Sequence, residues 1–170
     1  MKSFRVSRDF PAGRYILPKV FVGLEDVRTL NRCMHDFSLL RRILGETEVT
    51  LTTNGTRYMH VNDEDGGLVV GLKYLRDADE RYLYLDIIHE LIQVKQYLDG
   101  RELFDDEYSY ADRPTKIEAY QYTVEECRTL GMTDEEIVKY LYVEWITEKE
   151  FARMLETLGV TSSSGQLHPS

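Results

Sequence analysis

The chain has 170 residues, 42% apolar and 30% charged, enough for one globular unit with a real core and too few for two large ones. A formal net charge of −9, with no Lys/Arg-rich run, argues against a broad electrostatic grip on nucleic acid or an anionic membrane. No apolar run approaches the roughly 18 to 20 residues that span a bilayer, and the stretch MKSFRVSRDFPAGRY lacks the apolar core of a signal peptide, so a cytoplasmic protein without membrane insertion is expected.

Residues 1–23 carry Pro11, Gly13, Pro18 and Gly23 between short apolar runs and predict irregular or edge-strand structure. Over residues 24–44, Val27, Leu30, Met34, Phe37, Leu40 and Leu44 recur at steps of three and four, with Gly45 behind them. That spacing predicts one long amphipathic helix. The β-rich runs EVTLTT and TRYMHV flank Asn54-Gly55, which predicts a hairpin with a type I′ turn. The acidic turn 62–67 lacks the ligand spacing of a calcium loop and leads to a third strand, LVVGLKYL.

A helix follows and stops at Asp99-Gly100, then an acidic, tyrosine-rich connector in which Asp105, Asp106 and Glu107 read as a solvated charge run. Asp112 is placed to cap the next helix, with Pro114 in its first turn, a buried stripe of Ile117, Tyr120, Val124 and Cys127, and a stop at Gly131. Thr133 with Glu136 and Thr147 with Glu150 have capping-box spacing and open two further helices, with Trp145 between them as a packing residue. The tail TSSSGQLHPS reads as flexible, and its His168 has no evident partner. Cys33 and Cys127 lie far apart with no ligand-like spacing and read as reduced core thiols.

The element order predicts an α+β fold: an N-terminal edge segment (1–23), a core (24–131) with a long backing helix, a small antiparallel three-stranded sheet and a motif helix, a C-terminal helical extension (132–159) and a tail (160–170).

The motif helix is LYLDIIHELIQVKQYLDG, residues 83–100. On a wheel of about 100° per residue, Asp86, His89, Glu90, Gln93, Gln96 and Tyr97 share one arc, and apolar residues fill nearly all of the rest. A helix so widely apolar is largely buried, and its polar stripe then lines a site or faces solvent. In an H-E-x-x-H helix, two histidines four apart meet one zinc from one face, and the intervening glutamate takes a proton from zinc-bound water. Here the four-residue step from His89 falls on Gln93.

Over residues 24–130 the chain resembles a gluzincin metallopeptidase, the zincin-like class whose third ligand is a glutamate on a later helix. The motifs that carry the resemblance are HELIQ and KIEAYQYTVEE. The resemblance implies that His89 is the first zinc ligand, Glu90 the general base and Glu118 the third ligand, with Gln93 in the place of the second histidine. A neutral amide oxygen is a poor zinc donor beside imidazole, so zinc affinity should fall by orders of magnitude.

Three readings follow. The leading one is a gluzincin-like domain without peptidase activity, acting as a binding or regulatory module for a protein or peptide partner and holding no metal or a weakly bound divalent one. The second is a metal-dependent hydrolase in which His89, Glu118 and Gln93 or Asp86 hold zinc or a harder metal, with Glu90 as base. The third is a structural subunit of a larger assembly.

Overall fold

The computed structural model describes residues 1–163. The N-terminal segment is built into the core. Strand β1 (Arg5–Val6) pairs antiparallel with β3 (Phe21–Val22), β2 (Gly13–Ile16) joins the main sheet, and the one-turn helix α1 (Leu17–Val20) buries Leu17 and Val20. Gly23 closes this segment with φ 81°, and a Cβ there would overlap the Ser3 carbonyl.

The single helix expected over residues 24–44 is two helices, α2 (Arg28–Met34) and α3 (Phe37–Glu46). His35 ends α2 in the left-handed conformation, φ 55°, and Asp36 begins α3 by accepting a hydrogen bond from Ser38 N–H at 2.8 Å. Apolar periodicity runs through the break because Leu30, Met34, Leu40 and Leu44 all enter the same core. The sign of the break is the Asp36 cap. His35 is the one described non-glycine residue with positive φ. His35→Gly is therefore expected to stabilise the protein by about 1 kcal/mol, read as a higher urea midpoint at unchanged slope.

The expected three-stranded antiparallel sheet is a mixed four-stranded one. Strands β4 (Glu48–Thr52), β5 (Met59–Val61) and β6 (Leu68–Gly71) combine with β2 in the order β2-β4-β6-β5. The β4–β6 pair is parallel, with Val49 beside Leu68, and the other two pairs are antiparallel. The hairpin expected at Asn54-Gly55 does not form, and those residues lie in the β4–β5 loop. The hairpin is instead β5–β6, closed by Asn62 N–H to Gly67 O at 2.7 Å and Gly66 N–H to Asn62 O at 2.8 Å. Leu68, Val70 and Gly71 are all buried, so β6 suits a central place and leaves β5 at the edge. β6 also ends at Gly71, four residues short of the expected strand, because α4 (Leu72–Asp77) starts there.

Helix α5 (Glu80–Leu98) is capped by Asp79, whose carboxylate accepts from Arg81 N–H at 2.8 Å. Leu83, Leu85, Ile87, Ile88, Leu91 and Ile92 of this helix are wholly buried, which makes α5 the centre of the core. A 3-10 turn (Tyr110–Asp112) precedes α6 (Pro114–Thr129), which lies antiparallel along α5. Asp112 does not cap α6, whose cap position is Arg113; its carboxylate is held by Arg153, Nε to Oδ1 2.9 Å, tying the turn to the C-terminal helix.

Helices α7 (Asp134–Leu141) and α8 (Glu148–Leu158) open with the two expected capping boxes. Val160 is buried and Thr161 N–H donates to Asp134 Oδ2 at 2.7 Å, so the start of the expected tail is anchored. The rest of the tail from residue 164, with His168, lies outside the described residues. Cys33 and Cys127 are free buried thiols, pushed up to about 11 and about 12 by burial. The fold is α+β, and no helix among the described residues is long and apolar enough to cross a membrane.

Candidate functional site

Where α5, α6 and the edge strand β5 meet, they enclose a cleft of about 690 Å³, within the usual range for ligand sites. Helix α5 turns Asp86, His89 and Glu90 into it, and α6 contributes Lys116 and Tyr120, four residues apart and so on one face. The β4–β5 loop and the α7–α8 loop form the mouth. There Arg57 is ion-paired with Glu144, Tyr58 Oη donates to Glu144 Oε2 at 3.3 Å, and the Trp145 ring lies 5.9 Å from Tyr58 and 5.6 Å from Tyr110. Trp145 is 50% exposed. Expected as a packing residue, Trp145 packs against these two rings while standing at the rim of the cleft.

Each polar side chain in the cleft has a distinct environment. Asp86 accepts hydrogen bonds from the hydroxyls of Tyr74 and Tyr140, the latter at 2.7 Å. Burial raises its carboxyl above the ordinary value against these two bonds. Burial also drives the hydroxyls of Tyr120 and Tyr140 well above their ordinary value and Tyr110 to about 12, so these phenols remain protonated donors. His89 is 3% exposed, its ring 4.2 Å from that of Tyr120, and neither ring nitrogen has a hydrogen-bond partner among the described residues. Burial, followed by the charge of Lys116, pushes His89 well below its ordinary value, which leaves a neutral imidazole with one N–H and one lone pair.

Glu90 is 5% exposed; the backbone of Val61 hydrogen-bonds its carboxyl, while Oε2 is buried without a partner among the described residues. Burial, with Asp86 adding to it, pushes this carboxyl up to about 8 against the opposing influence of Lys116. Lys116 Nζ donates to Gln93 Oε1 at 3.3 Å and lies 5.2 Å from the Tyr110 ring centre. Burial lowers its ammonium below the ordinary value, and Glu90 and Asp86 resist that.

The edge strand also faces the cleft. Gly71 N–H donates to Tyr58 O at 2.8 Å and Asn62 N–H to Gly67 O at 2.7 Å. The alternation of an antiparallel pair then turns the backbone groups of Met59 and Val61 away from β6, on the side where Val61 meets Glu90.

His89, Glu90 and Asp86 are thus brought together, with Gln93 one turn along and joined to Lys116. Glu118 is not part of this group. Its two oxygens each lie 2.9 Å from Arg101 Nη1, and Oε1 also accepts from Gln96 Nε2 at 3.1 Å. Two residues of helix rotate a side chain by about 200°, so Lys116 and Glu118 leave α6 on opposite sides. The residues present do not make the zinc site that the resemblance implies. They offer one imidazole, an amide already bonded to an ammonium, an Asp86 whose oxygens are taken by two phenols, and a third carboxylate turned elsewhere. Among the described residues no three His, Cys, Asp or Glu side chains form a metal-binding group.

Sequence reasoning misses Lys116, Tyr74, Tyr110 and Tyr140 as cleft residues. A sign of Lys116 is present: it sits four residues before Tyr120 and eleven before Cys127, a lysine on an otherwise buried stripe. Compared with protein-family models, with curated proteins and with solved structures, the protein matches none.

Proposed function

We propose that the protein is a gluzincin-like domain without peptidase activity that binds a protein or peptide partner in its cleft. The observation that carries this reading is Lys116. In a peptidase of that class, the space before the histidine–glutamate pair belongs to a dication and its water. Here an ammonium stands in electrostatic reach of both His89 and Glu90 and is bonded to Gln93. A lysine brings positive charge without an activated water, so Glu90 has no nucleophile to deprotonate.

Binding has structural support of its own. The Met59 backbone groups, directed away from β6, offer an extended peptide a strand to pair with. The rings of Tyr58, Tyr110 and Trp145 at the mouth supply rigid contact area. The free thiols Cys33 and Cys127 suit a reducing, cytoplasmic setting.

Elemental analysis and a fluorogenic peptide library test the reading together. The parent is expected to purify without stoichiometric metal and to cleave no peptide. Gln93→His combined with Lys116→Glu would complete a three-ligand set with His89, and is expected to retain about one zinc per protein molecule. Peptide hydrolysis by the parent that disappears in Glu90→Ala would sink the proposal in favour of a metal-dependent hydrolase. A paired variant that takes up no zinc would remove the gluzincin frame from it.

A further inference from the structure

Four cationic side chains, Arg57, Arg113, Lys116 and Lys139, line the cleft of a protein whose net charge is −9. Three have anionic partners: Arg57 pairs with Glu144, Arg113 lies 3.9 Å from Asp106 and Lys139 lies 3.8 Å from Glu135. Lys116 is in no ion pair among the described residues, and its one hydrogen bond, to Gln93 Oε1, is long at 3.3 Å. An ammonium carries three N–H donors, so two remain for a ligand.

Further donors surround it. The buried imidazole of His89 has no hydrogen-bond partner on either nitrogen among the described residues. The hydroxyls of Tyr110 and Tyr120 lie 2.9 Å apart, and such a pair leaves one O–H proton free. The free acceptor is the second imidazole nitrogen; Glu90 Oε2, on a carboxyl that burial keeps protonated near neutral pH, is a further donor. A buried polar group without a partner costs free energy, so this arrangement asks for a ligand rich in acceptor oxygens and carrying an N–H.

We propose that the inner end of the cleft receives a carboxylate of the peptide partner, seated on Lys116, His89 and the Tyr110–Tyr120 hydroxyl pair. The inference rests on the binding reading above and names the chemistry of the partner. One uncommitted cation balances one negative charge. A phosphate dianion would leave a full charge uncompensated in a buried site beside Asp86. A neighbouring peptide N–H supplies the donor that the second imidazole nitrogen lacks. The carboxylate can come from the C-terminus of the peptide or from an Asp or Glu side group within it, since both present the same planar pair of oxygens.

Trp145, the only tryptophan, lies at the mouth and reports occupancy by its fluorescence. Three probes separate the cases: N-acetyl-Ala-Phe with a free C-terminus, the same peptide as its C-terminal amide, and N-acetyl-Ala-Phe-Glu amide, whose carboxylate is that of the glutamate. At least one acidic probe is expected to bind at least about tenfold more tightly than the neutral amide, by fluorescence and by calorimetry. That probe identifies the source of the carboxylate.

The preference is expected to fall below about threefold in Lys116→Met and to survive in Lys116→Arg. It should also survive in Lys19→Met, which removes an exposed charge on α1. A circular-dichroism melt verifies that each variant is folded, and Lys116→Arg keeps the test decisive if Lys116→Met is not. Equal binding of all three probes would overturn the carboxylate assignment and leave the binding reading standing. Persistence of the preference in Lys116→Met, its loss in Lys116→Arg, or no binding by any probe would also overturn the assignment. Cleavage of a probe would instead overturn the reading beneath it.

Discussion

Glu90→Gln is expected to make the protein more stable at pH 8 than its parent, while the two remain nearly equal at pH 5. A free glutamate titrates near 4.5, and in the fold Glu90 is pushed up to about 8, chiefly by burial. Between these values the folded state holds a proton that the unfolded state has released. Stability therefore falls as pH rises from about 4.5 through about 8, by at most about 1.4 kcal/mol per pH unit for one group. Glutamine resembles the protonated acid in shape and does not titrate, so it removes this decline. The gap between variant and parent should widen by more than about 2 kcal/mol between pH 5 and pH 8 in urea unfolding. Lys116 is present in both proteins, so the difference reports mainly on Glu90. Parallel pH profiles would show that Glu90 ionises in the fold much as it does in water.

The second large effect lies at the centre of α5. Ile88 is 0% exposed on a helix surrounded by the sheet and by α2, α3 and α6. Ile88→Ala should cost about 2 to 5 kcal/mol, the usual toll for a large-to-small change where neighbours cannot collapse into the void. Leu98, at the end of the same helix, is 51% exposed. Leu98→Ala should stay within about 0.5 kcal/mol of the parent. Chemical denaturation of the two variants side by side measures this contrast, and similar costs at both positions would contradict the central place of α5.

The amino-acid order states some of this architecture openly and conceals the rest for definable reasons. Thr133 with Glu136 and Thr147 with Glu150 announce two helix starts because a capping box is a local device whose partners are three residues apart. The polar arc of α5 is legible for the same reason, since helical phase brings Asp86, His89 and Glu90 to one side wherever the helix is placed. Strand order is not local. Asn54-Gly55 is a strong hairpin signal, yet the parallel pairing of β4 with the apolar β6 outweighs it, and no feature within either strand specifies that choice.

The step from Gln93 to Glu118 shows the same limit within the site. Counting along the sequence gives a separation but not the rotational phase of α6 against α5. The contacts of Gln93 with Lys116 and of His89 with Tyr120 set that phase, and it turns Glu118 toward Gln96 and Arg101. Five of the aromatic residues around the cleft, Tyr58, Tyr74, Tyr110, Tyr140 and Trp145, come from separate segments and share no common spacing. Their association exists only once the protein has folded.

The wall formed by α7 and the α7–α8 loop bears on how the protein is made. A nascent polypeptide that has left the ribosome only as far as residue 131 already contains α5 and α6, and with them His89, Glu90 and Lys116. It does not yet contain Tyr140, which donates to Asp86, or Glu144 and Trp145, which meet the β4–β5 loop across the mouth. The segment made earlier thus holds the charged groups, and α7 with the α7–α8 loop, made after it, closes the space around them. A partner present during translation would meet an open groove first and the finished cleft only once α7 and the loop behind it had emerged.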